Sequence, residues 1–192
     1  AEREQIRLDA QLGAARDAKH IWCSAAPASA DNAYVARKRI DPAPLRQDGD
    51  DLLVPMFDDD GHLWNIQRIF PDGKKLFLKD GRIDGLFAII GNFAGAAEAV
   101  IGEGYATLDS VNQSTGLPCV VAFNTSNLPK VARIWAARRP DLNFIIFADD
   151  DEATAQKILA EQGKYKNPGK EAAEAAATEI GARVAYPTGR AA

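Results

Sequence analysis

Residues 100–107 read VIGEGYAT, a short apolar run followed by Glu103 between two glycines. Further along the chain, residues 144–151 read FIIFADDD, an apolar run that ends in consecutive aspartates. Short apolar runs of this kind are typical of buried strands. The carboxyl ends of parallel strands meet at one edge of a sheet, where open α/β sheets bind ligands. We therefore expect both acidic groups to lie at that edge.

The carboxylates of Glu103, Asp149 and Asp151 are the predicted metal ligands. Side chains two residues apart share one face of a strand, so Asp149 and Asp151 are predicted to point one way and Asp150 the other. Carboxylates gathered at one edge repel one another unless a divalent cation neutralises them, and oxygen-rich acidic sites suit Mg²⁺ or Mn²⁺. The pattern predicts a metal-dependent phosphoryl-transfer enzyme. The alternatives are a plain strand-to-helix loop at Glu103 and an acidic surface turn at 149–151.

The pattern of apolar residues in 1–91 predicts a small α+β region. Apolar residues at helical spacing predict a helix at 7–18 and another at 31–40, before a proline-containing break. From residue 51 the apolar period changes to two, which predicts an antiparallel β-meander. Its predicted strands are 52–57, 62–70, 75–78 and, as a further strand, 86–90.

Residues 92–192 alternate strands and helices, which predicts a parallel sheet flanked by helices. The predicted strands are 100–101, 119–123, 143–148 and 183–186. The predicted helices are 106–113, 128–139, 152–162 and 169–180. The predicted fold class is therefore α/β, with a parallel sheet preceded by the smaller α+β region.

Composition and charge exclude several classes of protein. The chain of 192 residues is 46% hydrophobic and 26% charged, as in ordinary globular domains. Its net charge of −4 argues against a protein that coats nucleic acid by bulk electrostatics. The most apolar stretch, 85–102, contains Asn92, Glu98 and several glycines, so we expect core packing and no membrane span. Two distant cysteines, Cys23 and Cys119, favour reduced thiols and a cytoplasmic location.

The order and spacing of these motifs resemble the Toprim domain, which primases, topoisomerases and some nucleases share. The resemblance lies in the Glu-Gly-Tyr turn at 103–105, the Asp-x-Asp at 149–151 and the alternating elements between them. The EGYAT form of that turn, together with AFN at 122–124 and NPG at 167–169, is similar to Toprim primases of conjugative plasmids and phages.

The resemblance extends upstream of the parallel region. LVPMFD at 53–58, QRI at 67–69 and KKLFL at 74–78 resemble the segment that precedes Toprim in DnaG-type bacterial primases. The chain also departs from that pattern. Asp151 is not followed soon by glycine, and a cysteine-rich zinc module is missing from the sequence. Since the chain does not begin with methionine, we expect it to be part of a longer polypeptide.

The resemblance implies a DNA primase catalytic core that makes short RNA primers on single-stranded DNA, for plasmid, phage or other mobile-element DNA. Glu103, Asp149 and Asp151 would be the catalytic carboxylates, holding Mg²⁺ or Mn²⁺ against the triphosphate of the incoming nucleotide. The implied partners are single-stranded DNA template, ribonucleoside triphosphates, and a helicase or other domains of a longer polypeptide. No membrane partner is implied.

Basic and amide side chains supply the predicted nucleotide and template contacts. Arg68, Lys74 and Lys75 lie in the upstream segment, whose basic residues face template or nucleotide in such primases. Asn124 and Asn127 follow another predicted strand and are predicted to contact phosphate or sugar. The alternatives are a solvated β-edge for the basic residues and a turn-forming role for the asparagines.

Two other functions stay open at this point. A Toprim nuclease would use the same carboxylates to cut phosphodiesters, and the basic meander weighs against it. A non-catalytic module would bind DNA or a partner protein within a larger replication or relaxase protein. The intact set of Glu103, Asp149 and Asp151 weighs against that reading, because an inactive site is free to lose its acids.

Overall fold

The computed structural model describes residues 2–148 and 167–187, together with the isolated positions 156, 160 and 161. Asp149, Asp151 and most of the predicted helix 152–162 lie outside the described residues. The chain forms two compact units that divide between Ala88 and Ile89. The functional assignment of 1–91 as a pre-Toprim primase region and 92–192 as the Toprim domain stays a prediction.

The first unit contains an antiparallel meander. Its described strands follow one another in space in the order β1-β2-β3-β4-β5, and each neighbouring pair is antiparallel. The strands are β1 (Ala26–Pro27), β2 (Arg46–Asp48), β3 (Asp51–Phe57), β4 (Leu63–Ile69) and β5 (Lys75–Phe77). The predicted meander is therefore present, extended by the two short strands β1 and β2.

Helix α1 (Glu2–Ser24) packs against this sheet through small residues. Ala18 is fully buried and forms a core cluster with Leu53 of β3 and Ile66 of β4. An alanine lets the helix approach the strands closely, so the branched side chains of the sheet fill the space beneath it. The amino-terminal half of the helix is exposed, including Ile6, which is 63% accessible.

Helix boundaries in the first unit differ from those predicted. Helix α1 is much longer than the predicted 7–18. Helix α2 (Ala33–Lys38) is shorter than the predicted 31–40. Its cap is Asn32, whose Oδ1 accepts the backbone N–H groups of Tyr34 and Val35. The helix ends at Arg39, which adopts a left-handed conformation with φ of 55°.

The second unit contains the predicted parallel sheet. Its described strands lie in the order β10-β9-β7-β8-β6, and the pairs β10/β9, β9/β7 and β7/β8 are parallel. The strands are β6 (Ala88–Ile90), β7 (Glu98–Gly102), β8 (Cys119–Val121), β9 (Asn143–Phe147) and β10 (Arg183–Ala185). The described helices are α3 (Tyr105–Thr115), α4 (Leu128–Arg138) and α5 (Pro168–Ile180). The α/β fold class is confirmed.

One strand belongs to a different sheet from the one expected. Residues 86–90 were predicted to continue the meander, but β6 lies beside β8 at the edge of the parallel sheet, and the division between the units falls within it. Ile89 is exposed while Ala88 and Ile90 are buried, as the alternating faces of a strand require. A short apolar run can indicate a strand, but it does not identify the pairing partner, because that choice depends on distant residues.

The two cysteines lie in opposite environments. Cys119 is fully buried in β8, and burial, reinforced by the nearby charge of Asp109, raises the pKa of its thiol to about 12. Cys23 is exposed near the end of α1. The thiolate is the reactive form, so iodoacetamide at pH 8 should alkylate Cys23 and spare Cys119. Peptide mass spectrometry reads this directly, and the same reaction in denaturant should modify both. Rapid labelling of Cys119 in the folded protein would contradict the burial.

Candidate metal and nucleotide site

The register of the parallel strands fixes the height of Glu103 on the sheet. Strand β7 lies between β8 and β9, and its Ile101 pairs with Ile146 of β9. Glu103 lies two residues beyond Ile101, just as Ala148 lies two beyond Ile146. Glu103 is therefore level with Ala148, the residue that immediately precedes Asp149. The chain leaves the sheet at both positions along the carboxyl edge.

Gly102 lets β7 and β9 end close together. A Cβ placed on Gly102 would lie 3.2 Å from the backbone oxygen of Phe147 and 3.1 Å from Cδ2 of Leu108 in α3. Both distances are tighter than ordinary side-chain contacts, so any larger residue would push the strand ends or the helix outward. The first glycine of the Gly-Glu-Gly motif thus has a packing reason, and it lies directly beside the candidate metal ligand.

Glu103 is held by the turn that follows β8. The hydroxyl of Thr125 donates a hydrogen bond of 3.0 Å to Oε2 of Glu103, and the N–H of Phe123 donates one of 3.0 Å to the Glu103 backbone oxygen. Helix α3 begins at Tyr105, directly after the Gly104 cap, so the glutamate lies at its positive end. A half-buried carboxylate in these surroundings can bind a cation while the helix end favours an anionic group beside it.

Asn124 and Asn127, which are predicted to contact phosphate or sugar, form that turn through side-chain hydrogen bonds. Oδ1 of Asn124 accepts the N–H of Asn127 at 2.9 Å and the hydroxyl of Ser126 at 2.8 Å. Asn127 is 1% exposed, and its Nδ2 donates to the backbone oxygen of Ala122 at 2.9 Å. Both asparagines therefore have the turn-forming role that the sequence left open. Their contact with phosphate or sugar stays a prediction.

The donor chemistry of this edge fits Mg²⁺ or Mn²⁺. Among the described residues, Glu103 contributes a carboxylate and Thr125 a hydroxyl bonded to it, and both are hard oxygen groups. Asp149 and Asp151, the other predicted ligands, lie beyond the last described residue of this stretch, Ala148. The convergence of all three carboxylates on one cation stays a prediction.

Arg68, which is predicted to bind the template, forms two ion pairs within the meander. Its guanidinium lies 2.8 Å from a carboxylate oxygen of Asp48 and 2.8 Å from one of Asp51. Burial acts to lower the pKa of Arg68, but the hydrogen bonds that it donates to Asp51 and Asp48 outweigh burial and raise that pKa above its usual value. These ion pairs link β2, β3 and β4. Because two carboxylates face the guanidinium of Arg68, they neutralise much of its positive charge. Sequence spacing gave no sign of this, because the partners lie 17 and 20 residues away.

Lys74 and Lys75 lie at the turn between β4 and β5. Both side chains are exposed, and the backbone N–H of Lys74 is bonded to Asp72 Oδ1 at 2.8 Å. Exposed lysines on a short hairpin can contact a phosphate backbone or simply remain solvated. The predicted template contact of these two residues stays a prediction.

A second oxygen-rich group lies between β3 and β4. Ligand atoms of Asp58, Asp60 and His62 all fall within 4.8 Å of one another. Burial acts to raise the pKa of Asp58, but the N–H of His62 and the indole N–H of Trp64 outweigh it, and the pKa lies below its usual value. Because Asp58 already accepts these bonds and the N–H of Asp60, turn formation accounts for the cluster. The Asp-x-Asp-x-His spacing was the signal available in the sequence.

No helix in the described ranges is both long and apolar enough to cross a membrane.

Residues 98–186 match the Toprim domain family. Two Escherichia coli proteins named DNA primase TraC are each 38% identical to the chain over 144 residues, which is 73% of this chain but 13% and 10% of theirs. The chain thus spans only a small part of these relatives.

One solved structure also matches part of the chain. The primase fragment of the bacteriophage T7 primase-helicase protein has a TM-score of 0.49 and 16% identity, covering 72% of this chain and 53% of that one. Residues 98–186 begin with β7, include Glu103, and end one residue beyond β10. The matched segment therefore contains the strands β7 to β10 and the helices α3 to α5, but not the edge strand β6. The chain is thus similar to Toprim-type DNA primases, and the similarity includes a match to the Toprim domain over residues 98–186.

Proposed function

We propose that this chain is a catalytic core of DNA primase, which uses Mg²⁺ or Mn²⁺ to synthesise short RNA primers on single-stranded DNA. The observation that carries the proposal is the register of β7 and β9, which sets Glu103 level with the residue before Asp149. The relationship to DNA primases over 144 residues supports the choice of reaction. We also propose a role in the replication or transfer of plasmid, phage or other mobile DNA.

Glu103, Asp149 and Asp151 would hold the metal ion through carboxylate oxygens. Bound there, the cation would supply charge neutralisation for the triphosphate of the incoming ribonucleotide. Helix α3 begins two residues after Glu103 and directs its positive end to the same edge of the sheet. Its first backbone N–H groups would add favourable interactions with phosphate oxygens.

Residues of the meander would bind the template. Lys74 and Lys75 are exposed, so their ammonium groups can reach phosphates, whereas Arg68 would stabilise the strands that carry them. Lysine-to-alanine changes at 74 and 75 should therefore weaken template binding. Changing Arg68 should lower stability, because Asp48 and Asp51 would lose their shared partner.

A template assay with ribonucleotides tests the proposal against its rivals. The chain, a single-stranded DNA template, ribonucleoside triphosphates and Mg²⁺ or Mn²⁺ should together yield short oligomers, and chelation of the metal should abolish them. Shortened template would instead indicate a nuclease that uses the same carboxylates. Unchanged template and nucleotides, with metal binding verified separately by calorimetry, would favour the non-catalytic module and contradict the proposal.

A further inference from the structure

The turn after β8 has an unusual backbone at the residue that approaches Glu103. Phe123 has φ of 70°, a left-handed conformation that costs a non-glycine residue free energy. Two backbone hydrogen bonds stabilise this conformation. The N–H of Ala122 donates to the backbone oxygen of Gly102 at 2.7 Å, and the N–H of Phe123 donates to the backbone oxygen of Glu103 at 3.0 Å. The strained residue therefore continues the pairing of β8 with β7 past the end of the strands and leads the chain back toward the glutamate.

The next residues turn this approach into a fixed position. Asn124 and Asn127 close the turn through side-chain hydrogen bonds, and Asn127 is 1% exposed. A turn closed by buried amide bonds allows little movement of the residues within it. Thr125 lies between the two asparagines, and its hydroxyl is 3.0 Å from Oε2 of Glu103.

The direction of the Thr125 bond follows from the chemistry of its partner. A glutamate that binds a metal ion is ionised, and an ionised carboxylate only accepts hydrogen bonds, so the threonine hydroxyl is the donor of its hydrogen bond to Oε2. A glutamate side chain has several rotatable bonds, and this contact restricts the last of them. The turn thus holds Glu103 at both its backbone and its carboxylate.

We propose that Thr125 is a positioning residue for metal binding: its hydroxyl orients the Glu103 carboxylate toward the cation. The inference rests on the proposed function, since it assumes that Glu103 is a metal ligand. Hydrogen bonds to ligating carboxylates commonly change metal affinity by about 10- to 100-fold. Thr125→Val keeps the shape of the side chain and removes only the donor. It should weaken Mn²⁺ binding by roughly tenfold.

The experiment compares four variants of the whole chain in two measurements. The first is a Mn²⁺ titration in which electron paramagnetic resonance detects the bound metal, and the second is the dependence of primer synthesis on metal concentration. Thr125→Val should raise the Mn²⁺ concentration needed for half-maximal activity, and added Mn²⁺ should restore most of the maximal rate. Thr125→Ser, which retains a hydroxyl, should bind close to wild type. Ser126→Ala is the matched control, since it removes the neighbouring hydroxyl, which is bonded to Asn124 and not to Glu103. Glu103→Gln should lose both metal affinity and activity.

The outcomes separate this inference from the proposed function. If Thr125→Val binds Mn²⁺ like wild type while Glu103→Gln is defective, the role of Thr125 is wrong and the metal site stands. If Thr125→Ser or Ser126→Ala is as defective as Thr125→Val, the turn acts only as structure, and the inference is overturned. If Glu103→Gln binds metal and makes primers normally, the proposed site fails and the inference fails with it. Thermal unfolding without metal should be the same for Thr125→Val and wild type.

Discussion

Replacing Asp149 and Asp151 together with asparagine should lower primer synthesis by about a thousandfold or more. A bound cation contributes several kcal/mol to stabilising charge in phosphoryl transfer, and about 1.4 kcal/mol corresponds to a factor of ten in rate. Asparagine keeps the size of each side chain but removes the negative charge that binds the cation. The measurement is incorporation of labelled ribonucleotide on a single-stranded template, with Mg²⁺ and with Mn²⁺.

Asp150→Asn is the matched control for this double variant. The alternation of side chains along a strand predicts that Asp150 points away from its two neighbours. The single change should therefore retain most of the activity. Oligomers that persist after the double substitution would reject these aspartates as ligands. Equal loss in the control would show that total acidity of the segment matters more than the position of each carboxylate.

Asn65→Leu should destabilise the first unit by about 3 kcal/mol, because burying a polar group without its partner costs about 1–3 kcal/mol for each group. Asn65 is fully buried in β4. Its Nδ2 donates to the Arg82 backbone oxygen at 2.7 Å, and its Oδ1 accepts the N–H of Leu78 at 3.1 Å. Leucine fills a similar volume but leaves both backbone groups without this partner. The loss is a large fraction of the 5–15 kcal/mol that typically stabilises a folded domain.

Urea unfolding followed by tryptophan fluorescence measures this effect. Trp22 and Trp64 report on the first unit, and Trp135 on the second. Asn143→Leu is the matched control: the same substitution in a strand, at an exposed position of β9, should change stability by less than about 0.5 kcal/mol. If Asn65→Leu unfolds at the same urea concentration as the wild type, the stability of the segment from Leu78 to Arg82 does not depend on the Asn65 amide.

The close packing around Asn65 explains why we expect little relaxation. A Cβ on Gly81 would lie 2.4 Å from Nδ2 of Asn65, so this glycine is needed for the chain to pass over the amide. Asp80, the residue before it, has φ of 59°. The segment between β5 and β6 is thus shaped around one buried side chain, and removing its hydrogen bonds cannot be offset by a small shift of neighbouring atoms.

The sequence predicted the elements whose signals are local. Alternating strands and helices from residue 92 onward identified β7, β8, β9 and β10 as a parallel sheet, because apolar runs and helical spacing are properties of short windows. The meander strands β3, β4 and β5 were found for the same reason. β1 and β2 were missed, since the edge strand β1 has only two residues and ends in proline, and β2 consists of three polar residues.

The sequence could not predict contacts between distant residues. The hydrogen bond from Thr125 to Glu103 joins residues 22 apart, and the pairs of Arg68 with Asp48 and Asp51 form only when three strands come together. The role of Asn127 also depends on burial, because an exposed asparagine at that position could contact a ligand and a buried one closes the turn. The family resemblance predicted the metal-binding acids but gave no sign of the hydrogen bond that Thr125 donates to Glu103.

Anomalous diffraction from crystals grown with Mn²⁺ can show directly whether the three carboxylates bind one cation. We expect a manganese peak at the carboxyl edge of the parallel sheet, within coordination distance of oxygens from Glu103, Asp149 and Asp151, with the Thr125 hydroxyl on Oε2 of Glu103. A peak confined to the Asp58–His62 turn would contradict it. So would a structure in which the three carboxylates point to separate faces of the domain.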